Sequence, residues 1–247
     1  MSPAAGRLLV DPAGDPAWNM ALDEALLQLG GAPTLRLYGW SPFAVSLGYF
    51  QRLADFGDVP ATTPIVRRLT GGGAIHHADE LTFALALDRD LLPNDVAASY
   101  RLLHDAAVRA LADSGIAAER LARGASQHAR PSARWCFAEP GQDDVVTAVG
   151  KLLGSAQRRV ARPRPRLLHH GSLVLGRPAL TPFVAAVRDE IAFDDAALAA
   201  LRRHLADRLG AALGCRFEPG APTADEIALA EELRTVRYGN PEFTSRS

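Results

Sequence analysis

The strand-like segments of this sequence come in two clusters, and helical segments precede, separate and follow them. Short apolar segments bounded by glycine and proline form the first cluster at 35–49, 64–68, 73–77 and 81–87, and the second at 145–149, 151–160 and 166–175. Strands that alternate with helices build doubly wound sheets, whereas clustered strands favour separate layers. The order therefore predicts an α+β fold with a mixed, mostly antiparallel sheet flanked by helices.

Helix signals lie outside these clusters. Leucines at helical spacing follow Asp15-Pro16, and a second helical pattern begins at position 94 or 95 and ends at Gly115. In the helical last third of the chain, Thr181-Pro182 predicts the start of a short helix and Thr223–Glu226 a capping box. Segment 35–49 is expected to form a hairpin around its Trp-Ser-Pro turn.

Composition narrows the function classes. The 247 residues are 48% hydrophobic and 22% charged, which suits one globular domain over 1–247 rather than a disordered or fibrous chain. The formal net charge of −1 gives no overall electrostatic signal for nucleic acid, and two cysteines make no disulfide framework. No apolar run is long enough for a membrane span. We expect a cytoplasmic protein with neither a nucleic-acid nor a membrane partner.

Lysine occurs once in this chain. Of the 27 basic residues, all except Lys151 are arginine. The two residue types exchange freely on a solvated surface, but a guanidinium cannot replace a compact ammonium whose pKa is adjustable. Lys151 begins a predicted strand whose next residues include Gly154, Ser155 and Ala156, which leave room beside it. It is either a chance survivor of an arginine-rich composition or a functional group, and its small neighbours favour function.

Three consecutive glycines, Gly71, Gly72 and Gly73, follow Arg67-Arg68. Glycine permits positive φ and a close approach of the backbone to a ligand, and successive N–H groups in such a turn form a concave nest for an anion or a carbonyl oxygen. The segment lacks the Gly-Lys-Ser/Thr of a Walker A loop, and a strand rather than a helix follows it. It is either a ligand loop, in which the two arginines could hold a phosphate, or a tight turn between strands.

Cys136 follows a Gly-, Ser- and Arg-rich segment at 124–134 that we predict to be a mobile loop. A thiol between Trp135 and Phe137 is either a small buried hydrophobic group or, close to a cation, a nucleophile with a lowered pKa. Cys215 follows the end of a helix and has no such surroundings, so we interpret it as structural.

Two histidine pairs, His76-His77 and His169-His170, invite a metal interpretation that the pattern does not support. Adjacent histidines in a strand point to opposite faces, and no carboxylate or cysteine completes a familiar ligand spacing. We expect hydrogen-bonding or general-base histidines and no metal.

Five arginines and two prolines lie at 158–166. The prolines disfavour a regular ladder and predict a hairpin tip. The tip is either a solvated loop or a basic surface for an acidic partner.

In order and spacing these segments resemble the lipoate/biotin protein ligase-like family. Segments 19–24, 36–51 and 67–82 are similar to its first helix, the following hairpin and the ligand loop, and segments 151–157 and 170–172 to its catalytic-lysine strand and the neighbouring strand. The resemblance implies a class II synthetase-like biotin/lipoate ligase catalytic domain. It also implies an acyl-binding set of Arg68, Gly71, Gly72, Gly73, His77, Ser155, Ala156, His170 and Gly171.

The Cys136-Phe137 pair, fifteen residues before Lys151, is similar to the LipM-type octanoyltransferase branch of that family. This implies an acyltransferase that moves an octanoyl or lipoyl group from acyl carrier protein, through a thioester on Cys136, to a lysine of a lipoyl domain such as the glycine cleavage H protein or a dehydrogenase E2. Lys151 would be the second catalytic residue, and no cofactor would be required.

At position 73 this chain departs from that branch: the transferases usually have arginine there, whereas Gly73 resembles the ligases. Two alternatives therefore stay open. One is an ATP-dependent lipoate-protein ligase, which would need ATP and Mg²⁺ to form an acyl-adenylate. The other is a lipoyl/octanoyl amidotransferase between lipoyl-domain proteins.

Overall fold

A computed structural model describes residues 3–122 and 134–246. Most of the predicted mobile loop at 124–134 lies outside these residues. The strands are β1 (Ala4–Gly14), β2 (Thr34–Trp40), β3 (Ala44–Leu47), β4 (Ile65–Arg67), β5 (Ile75–His77), β6 (Glu80–Asp88), β7 (Glu119–Arg120), β8 (Val145–Thr147), β9 (Gly150–Val160), β10 (Arg166–Val174) and β11 (Cys215–Pro219). The helices are α1 (Pro16–Leu29), α2 (Val96–Asp113), α3 (Val187–Glu190), α4 (Asp195–Leu213), α5 (Ala224–Leu233) and α6 (Pro241–Ser245).

An eight-stranded sheet in the order β11-β1-β2-β6-β10-β9-β8-β7 forms the centre of the molecule. Among the described strands of this sheet, only β1 pairs in parallel, with β11 and with β2, and the remaining ladders are antiparallel. A separate three-stranded sheet has the order β4-β3-β5. The predicted α+β class and the mostly antiparallel sheet are confirmed.

Helices cover both faces of the large sheet because its strands alternate apolar side chains between two cores. On β6, Leu85 and Leu87 face the core that contains α2 and α4, whereas Ala84 and Ala86 face the core that contains α1 and α5. This is the period-two alternation expected of a strand buried on both sides.

Local signals placed most helix ends correctly. Asp15 caps α1 through a 3.0 Å bond from the Trp18 N–H, and α4 ends at Gly214 in the left-handed conformation. Thr223 and Glu226 form the predicted capping box of α5. No helix begins at Thr181-Pro182: the short helix α3 starts six residues later, at Val187.

The predicted hairpin at 35–49 is wrong. Its two halves are strands, but β2 pairs with β1 and β6 in the large sheet, whereas β3 pairs with β4 and β5 in the small one. The turn between them therefore carries the chain from one sheet to the other. Among the described residues, no helix combines the length and apolar character needed to cross a membrane.

Candidate active site

The single lysine lies against the candidate nucleophile. Lys151 Nζ is 3.5 Å from Cys136 Sγ and 2.9 Å from the Cys136 carbonyl oxygen, to which it donates. It also forms a 2.8 Å ion pair with Asp144. Lys151 is only 4% exposed. Burial alone would lower its pKa, but the Cys136 sulfur and the Asp144 carboxylate outweigh burial, and the pKa of Lys151 is raised.

A β-bulge directs Lys151 towards this site. Val146 lies opposite Lys151 and Val145 opposite Leu153, so Leu152 is an extra residue on β9. The bulge puts Lys151 and Gly154 on the same face of the strand. A Cβ on Gly154 would lie 2.5 Å from Lys151 Cε, so glycine at 154 provides the space that the lysine side chain occupies.

Cys136 is joined to the end of the glycine loop. The Cys136 N–H donates to the Ala74 carbonyl at 2.8 Å, and the Ala74 N–H donates to the Arg134 carbonyl at 2.9 Å. The thiol therefore sits in a turn that is fixed to the residue following Gly73. Phe137 packs below the ammonium, with its ring centroid 4.8 Å from Lys151 Nζ.

Arg68 holds the glycine loop in shape. Its Nη2 donates to the carbonyls of Gly71 and Gly73, both at 2.7 Å, and its Nη1 donates to Ser46. Burial lowers the pKa of Arg68 to about 10. Gly72 has a φ of 92°, which favours glycine. Its carbonyl packs so closely on Gly48 that a side chain at position 48 would collide with it.

A cavity opens between the two sheets, and Cys136 lines it. We call it the cysteine cavity; with its mouth included it holds about 420 Å³. Met20, Trp40, Ile75 and Ala156 give it apolar walls. The remaining lining residues are Tyr38, Ser46, Arg68, Gly72, His77, Thr82, Ser155, His170, Gly171 and Ser172. An apolar cavity with a few fixed polar groups suits a ligand with a hydrocarbon chain.

Hydrogen bonds fix the polar wall around Trp40, whose ring stacks on His77 at 3.8 Å between centroids. His77 binds Glu80 through Nδ1 and Ser46 through Nε2, both at 2.7 Å. Burial opposes ionisation of Glu80, but the charge of His77 and hydrogen bonds from His77, Ser172 and Thr82 outweigh it and leave its pKa lowered. These contacts hold the aromatic wall in one position.

His170 closes another side of the cavity. Its Nε2 is 2.7 Å from Thr70 Oγ1, and its Nδ1 is 3.5 Å from the buried carboxylate of Asp23. Asp23 is itself paired with Arg36 at 2.9 Å and Tyr38 at 2.8 Å. Burial lowers the pKa of His170 and outweighs the Asp23 carboxylate, which would raise it.

His169 and His170 point to opposite faces of β10, as the alternation of a strand predicts. His169 faces Tyr100 and His104 of α2, and Gln157 of β9 binds it at 2.8 Å. Among the residues that the structure describes, no group of three or more His, Cys, Asp or Glu side chains has the arrangement of a metal site.

Sequence reasoning missed two groups of this site. Asp144 pairs with Lys151, and its carboxylate is held by a 2.7 Å bond from the Gly141 N–H. His104 of α2 lies 2.6 Å from Ser155 Oγ and binds the Asp143 carbonyl through its other nitrogen. The one local signal was the adjacent pair of acids seven residues before the lysine. His104 sits in an amphipathic helix, where a histidine is usually part of the core.

Several expected contacts are absent from the cavity. Only Gly72 of the three glycines lines it. Arg67 cannot hold a phosphate, because its guanidinium donates to six backbone carbonyls, at positions 48, 49, 51, 243, 244 and 246. Arg67 instead fastens the C-terminal segment to the turn that follows β3.

The chain between Val160 and Arg166 is the predicted hairpin tip, but one of its arginines is not on the surface. Arg166 is 2% exposed, pairs with Asp88 at 2.6 Å and donates to the carbonyls of Leu26 and Leu27. Arg158 is exposed, and Arg162 and Arg164 lie at the tip.

Comparison with known proteins identifies the family. The model of the lipoyl protein ligase A/B catalytic domain matches residues 15–211. The chain belongs to this family. Octanoyltransferase LipM of Kyrpidia tusciae is 36% identical, with 97% of this chain and 98% of that protein covered. Octanoyltransferase LipM of an Exiguobacterium species is 35% identical, with 76% of this chain and 68% of that protein covered.

Solved structures agree with this family. Protein Ta0514 of Thermoplasma acidophilum, named as a candidate lipoate protein ligase, superimposes with a TM-score of 0.80 at 25% identity, and 99% of each chain is covered. The predicted resemblance to the lipoate/biotin ligase-like family, its catalytic-domain fold and the likeness to the LipM-type branch are thus confirmed.

Proposed function

We propose that this member of the lipoyl protein ligase family is an octanoyltransferase of protein lipoylation. It takes an octanoyl group from acyl carrier protein as a thioester on Cys136 and transfers it to a lysine of a lipoyl domain, such as the glycine cleavage H protein or a dehydrogenase E2. It acts as a single catalytic domain over 1–247, in the cytoplasm and without a required cofactor. The contact of Lys151 Nζ with Cys136 Sγ, at 3.5 Å beside the cysteine cavity, carries this proposal.

In the first half-reaction, Lys151 first supplies a positive charge beside the sulfur and then donates a proton. The Cys136 sulfur, as thiolate beside the Lys151 ammonium, attacks the donor's thioester carbonyl. The bond from the carbonyl carbon to the carrier's sulfur breaks, and the leaving thiolate takes a proton from Lys151. The products are S-octanoyl-Cys136, the free carrier thiol and a neutral lysine.

In the second half-reaction, Lys151 accepts a proton instead of donating one. Acylation removes the thiolate charge, which is the largest influence that raises the pKa of Lys151, so that pKa falls and burial is opposed by the Asp144 carboxylate alone. The acceptor amine attacks the thioester and gives one proton to Lys151 Nζ. The carbon–sulfur bond breaks, the amide forms, and the thiolate–ammonium pair is restored. Lys151 is therefore the base of this step, although its resting pKa is raised.

Two alternatives use the same cavity with a different donor. An ATP-dependent ligase would form an acyl-adenylate with ATP and Mg²⁺ and would not need the thiol; Gly73 is the residue that favours it. An amidotransferase would load Cys136 from another lipoyl domain. The Lys151–Cys136 contact favours a route through the thiol over the adenylate.

Intact-mass spectrometry after mixing with octanoyl-acyl carrier protein tests the proposal. We expect one octanoyl adduct, located on Cys136 by peptide mapping, without ATP. Cys136→Ala should abolish the adduct and the transfer to a lipoyl domain, while the matched Cys215→Ala variant should retain both. Transfer by Cys136→Ala that depends on ATP would establish the ligase instead. An adduct formed from octanoylated lipoyl domain but not from the carrier would establish the amidotransferase.

A further inference from the structure

A second, larger cavity lies further along β9 from the cysteine cavity. We call it the arginine cavity, because six arginines line it; with its mouth included it holds about 1210 Å³. The hairpin tip and its flanks supply four of them, and the C-terminal region supplies two. They are Arg158, Arg162, Arg164, Arg166, Arg237 and Arg246.

The carboxylates of this region do not balance these charges. Glu24 lines the cavity, but its carboxylate already accepts hydrogen bonds from Arg237, Tyr238 and Gln28. Asp88 is taken by Arg166 at 2.6 Å and Arg164 at 3.6 Å. The ion pairs of the described residues leave the other three arginines, at 158, 162 and 246, without a carboxylate. Like charges gathered in one concave surface repel each other, so the cavity is built to receive an anion.

Aromatic contacts hold two of these unpaired guanidinium groups while leaving their N–H groups available. The Tyr49 ring centroid is 4.0 Å from Arg246 Cζ and 5.6 Å from Arg158 Cζ. Arg246 Nη2 is buried and has no hydrogen-bond partner among the described residues. A guanidinium that rests near an aromatic ring keeps its donors in its own plane, which is the geometry that binds phosphate oxygens in pairs.

The arginine cavity lies where it can bind the end of an extended acyl donor that is remote from the thioester. Ala156 lines the cysteine cavity, and Arg158, two residues on and on the same face of β9, lines the arginine cavity. Arg158 lies seven positions after Lys151, which corresponds to roughly 23 Å along a strand. An anion bound there is thus held well away from the carbonyl that Cys136 attacks.

We propose that the arginine cavity binds the phosphate ester of the phosphopantetheine arm on which a carrier presents its acyl thioester. This rests on the proposed thioester donor, and it gives the enzyme a means of distinguishing a carrier-borne acyl group from a free one. The cavity is concave and lined by planar cations, which suits a tetrahedral phosphate ester on a flexible arm better than the convex surface of a folded partner.

Two small donors test this directly, octanoyl-pantetheine and octanoyl-4′-phosphopantetheine, which carry the same thioester and differ by one phosphate. We expect the wild-type enzyme to favour the phosphorylated donor in kcat/KM. In an Arg158→Ser, Arg162→Ser double variant, the ratio of the two kcat/KM values should fall about tenfold or more, the loss expected for charge-assisted hydrogen bonds. Arg203→Ser, an exposed arginine on α4, is the matched control and should leave the ratio unchanged.

The outcomes are separable. Equal use of the two donors by the wild type, or an equal loss on both in the double variant, would overturn the phosphate site. A loss confined to octanoyl-acyl carrier protein would also overturn it and assign the arginines to the carrier's folded acidic surface. Failure of the proposed function would look different, because neither small thioester would then form an adduct on Cys136.

Discussion

The cysteine cavity and the arginine cavity lie next to each other along β9, but they treat charge in opposite ways. Beside the first, the Lys151 ammonium has a carboxylate at 2.8 Å and a thiol at 3.5 Å, and behind the polar wall the buried carboxylate of Glu80 accepts three hydrogen bonds. In the second, Arg158 and Arg162 have no carboxylate in ion-pair contact among the described residues. Paired charges that exchange protons suit chemistry, and unpaired fixed charges suit recognition.

The same contrast explains the choice of cation in each place. A guanidinium keeps its proton at any working pH and therefore binds anions without taking part in proton transfer. An ammonium can lose its proton once a neighbouring negative charge disappears. The single lysine lies beside the cavity where a proton must move, and six arginines line the cavity where it need not.

The sharpest way to break this comparison is to exchange the cations. Lys151→Arg keeps the charge but removes the proton transfer, so we expect a loss of about 10²- to 10⁴-fold in single-turnover transfer, the usual cost of losing a general acid or base. Because the ammonium is 4% exposed and tightly enclosed, circular dichroism and thermal unfolding must accompany the rate measurement.

The reverse exchange, Arg158→Lys, keeps the charge in the arginine cavity and should act mainly on KM for the phosphorylated donor. Near-normal transfer by Lys151→Arg would show that only positive charge matters at position 151. The distinction between the two cavities would then be lost.

A smaller effect is expected on stability, and it should differ between two arginines of the hairpin tip. Arg166→Ser removes a buried guanidinium that binds Asp88 and two carbonyls of α1, so we expect a loss of about 1.5–3 kcal/mol in the free energy of unfolding. Arg162→Ser removes no hydrogen bond or ion pair among the described residues and should stay within about 0.5 kcal/mol of the wild type. Urea denaturation with a two-state fit measures both. Equal destabilisation would mean that the tip folds as one unit and that Arg162 is structural as well.

The fold class was predictable because the strand clusters and helix caps are local signals. Strands β1 and β11 were not predictable, because apolar and polar residues alternate poorly in their sequences. The two strands form by parallel pairing with each other from opposite ends of the chain. The hairpin at 35–49 failed for a related reason. Two neighbouring strands look alike in sequence whether they pair with each other or with different sheets.

At the site, the uniqueness of Lys151 and its spacing from Cys136 were readable, but the orientation of the lysine was not. It depends on the bulge at Leu152 and on the open space at Gly154, which only the paired strands define. The burial of Arg166 was hidden in the same way, since an arginine next to prolines looks like any exposed turn residue.

The smallest expected effect concerns Asp144, whose carboxylate helps to keep Lys151 charged. Asp144→Asn removes one of the two negative groups that raise the pKa of Lys151, so that pKa falls while burial continues to oppose the charge. The rate of Cys136 acylation requires the ammonium, and it declines as pH rises through the pKa of Lys151. The alkaline limb of the acylation pH profile should therefore move to lower pH, with a rate loss of about tenfold or less near neutral pH.

Asp143→Asn is the matched control for this variant. Asp143 has a φ of 70°, a conformation that asparagine tolerates, and its carboxylate pairs with Arg120 rather than with the lysine. The control should keep the wild-type alkaline limb even if it costs some stability. An equal shift in both variants would mean that the 141–144 turn acts through its shape. No shift in either would mean that Cys136 alone keeps Lys151 protonated, and the paired charge of the cysteine cavity would then reduce to the thiolate and the ammonium.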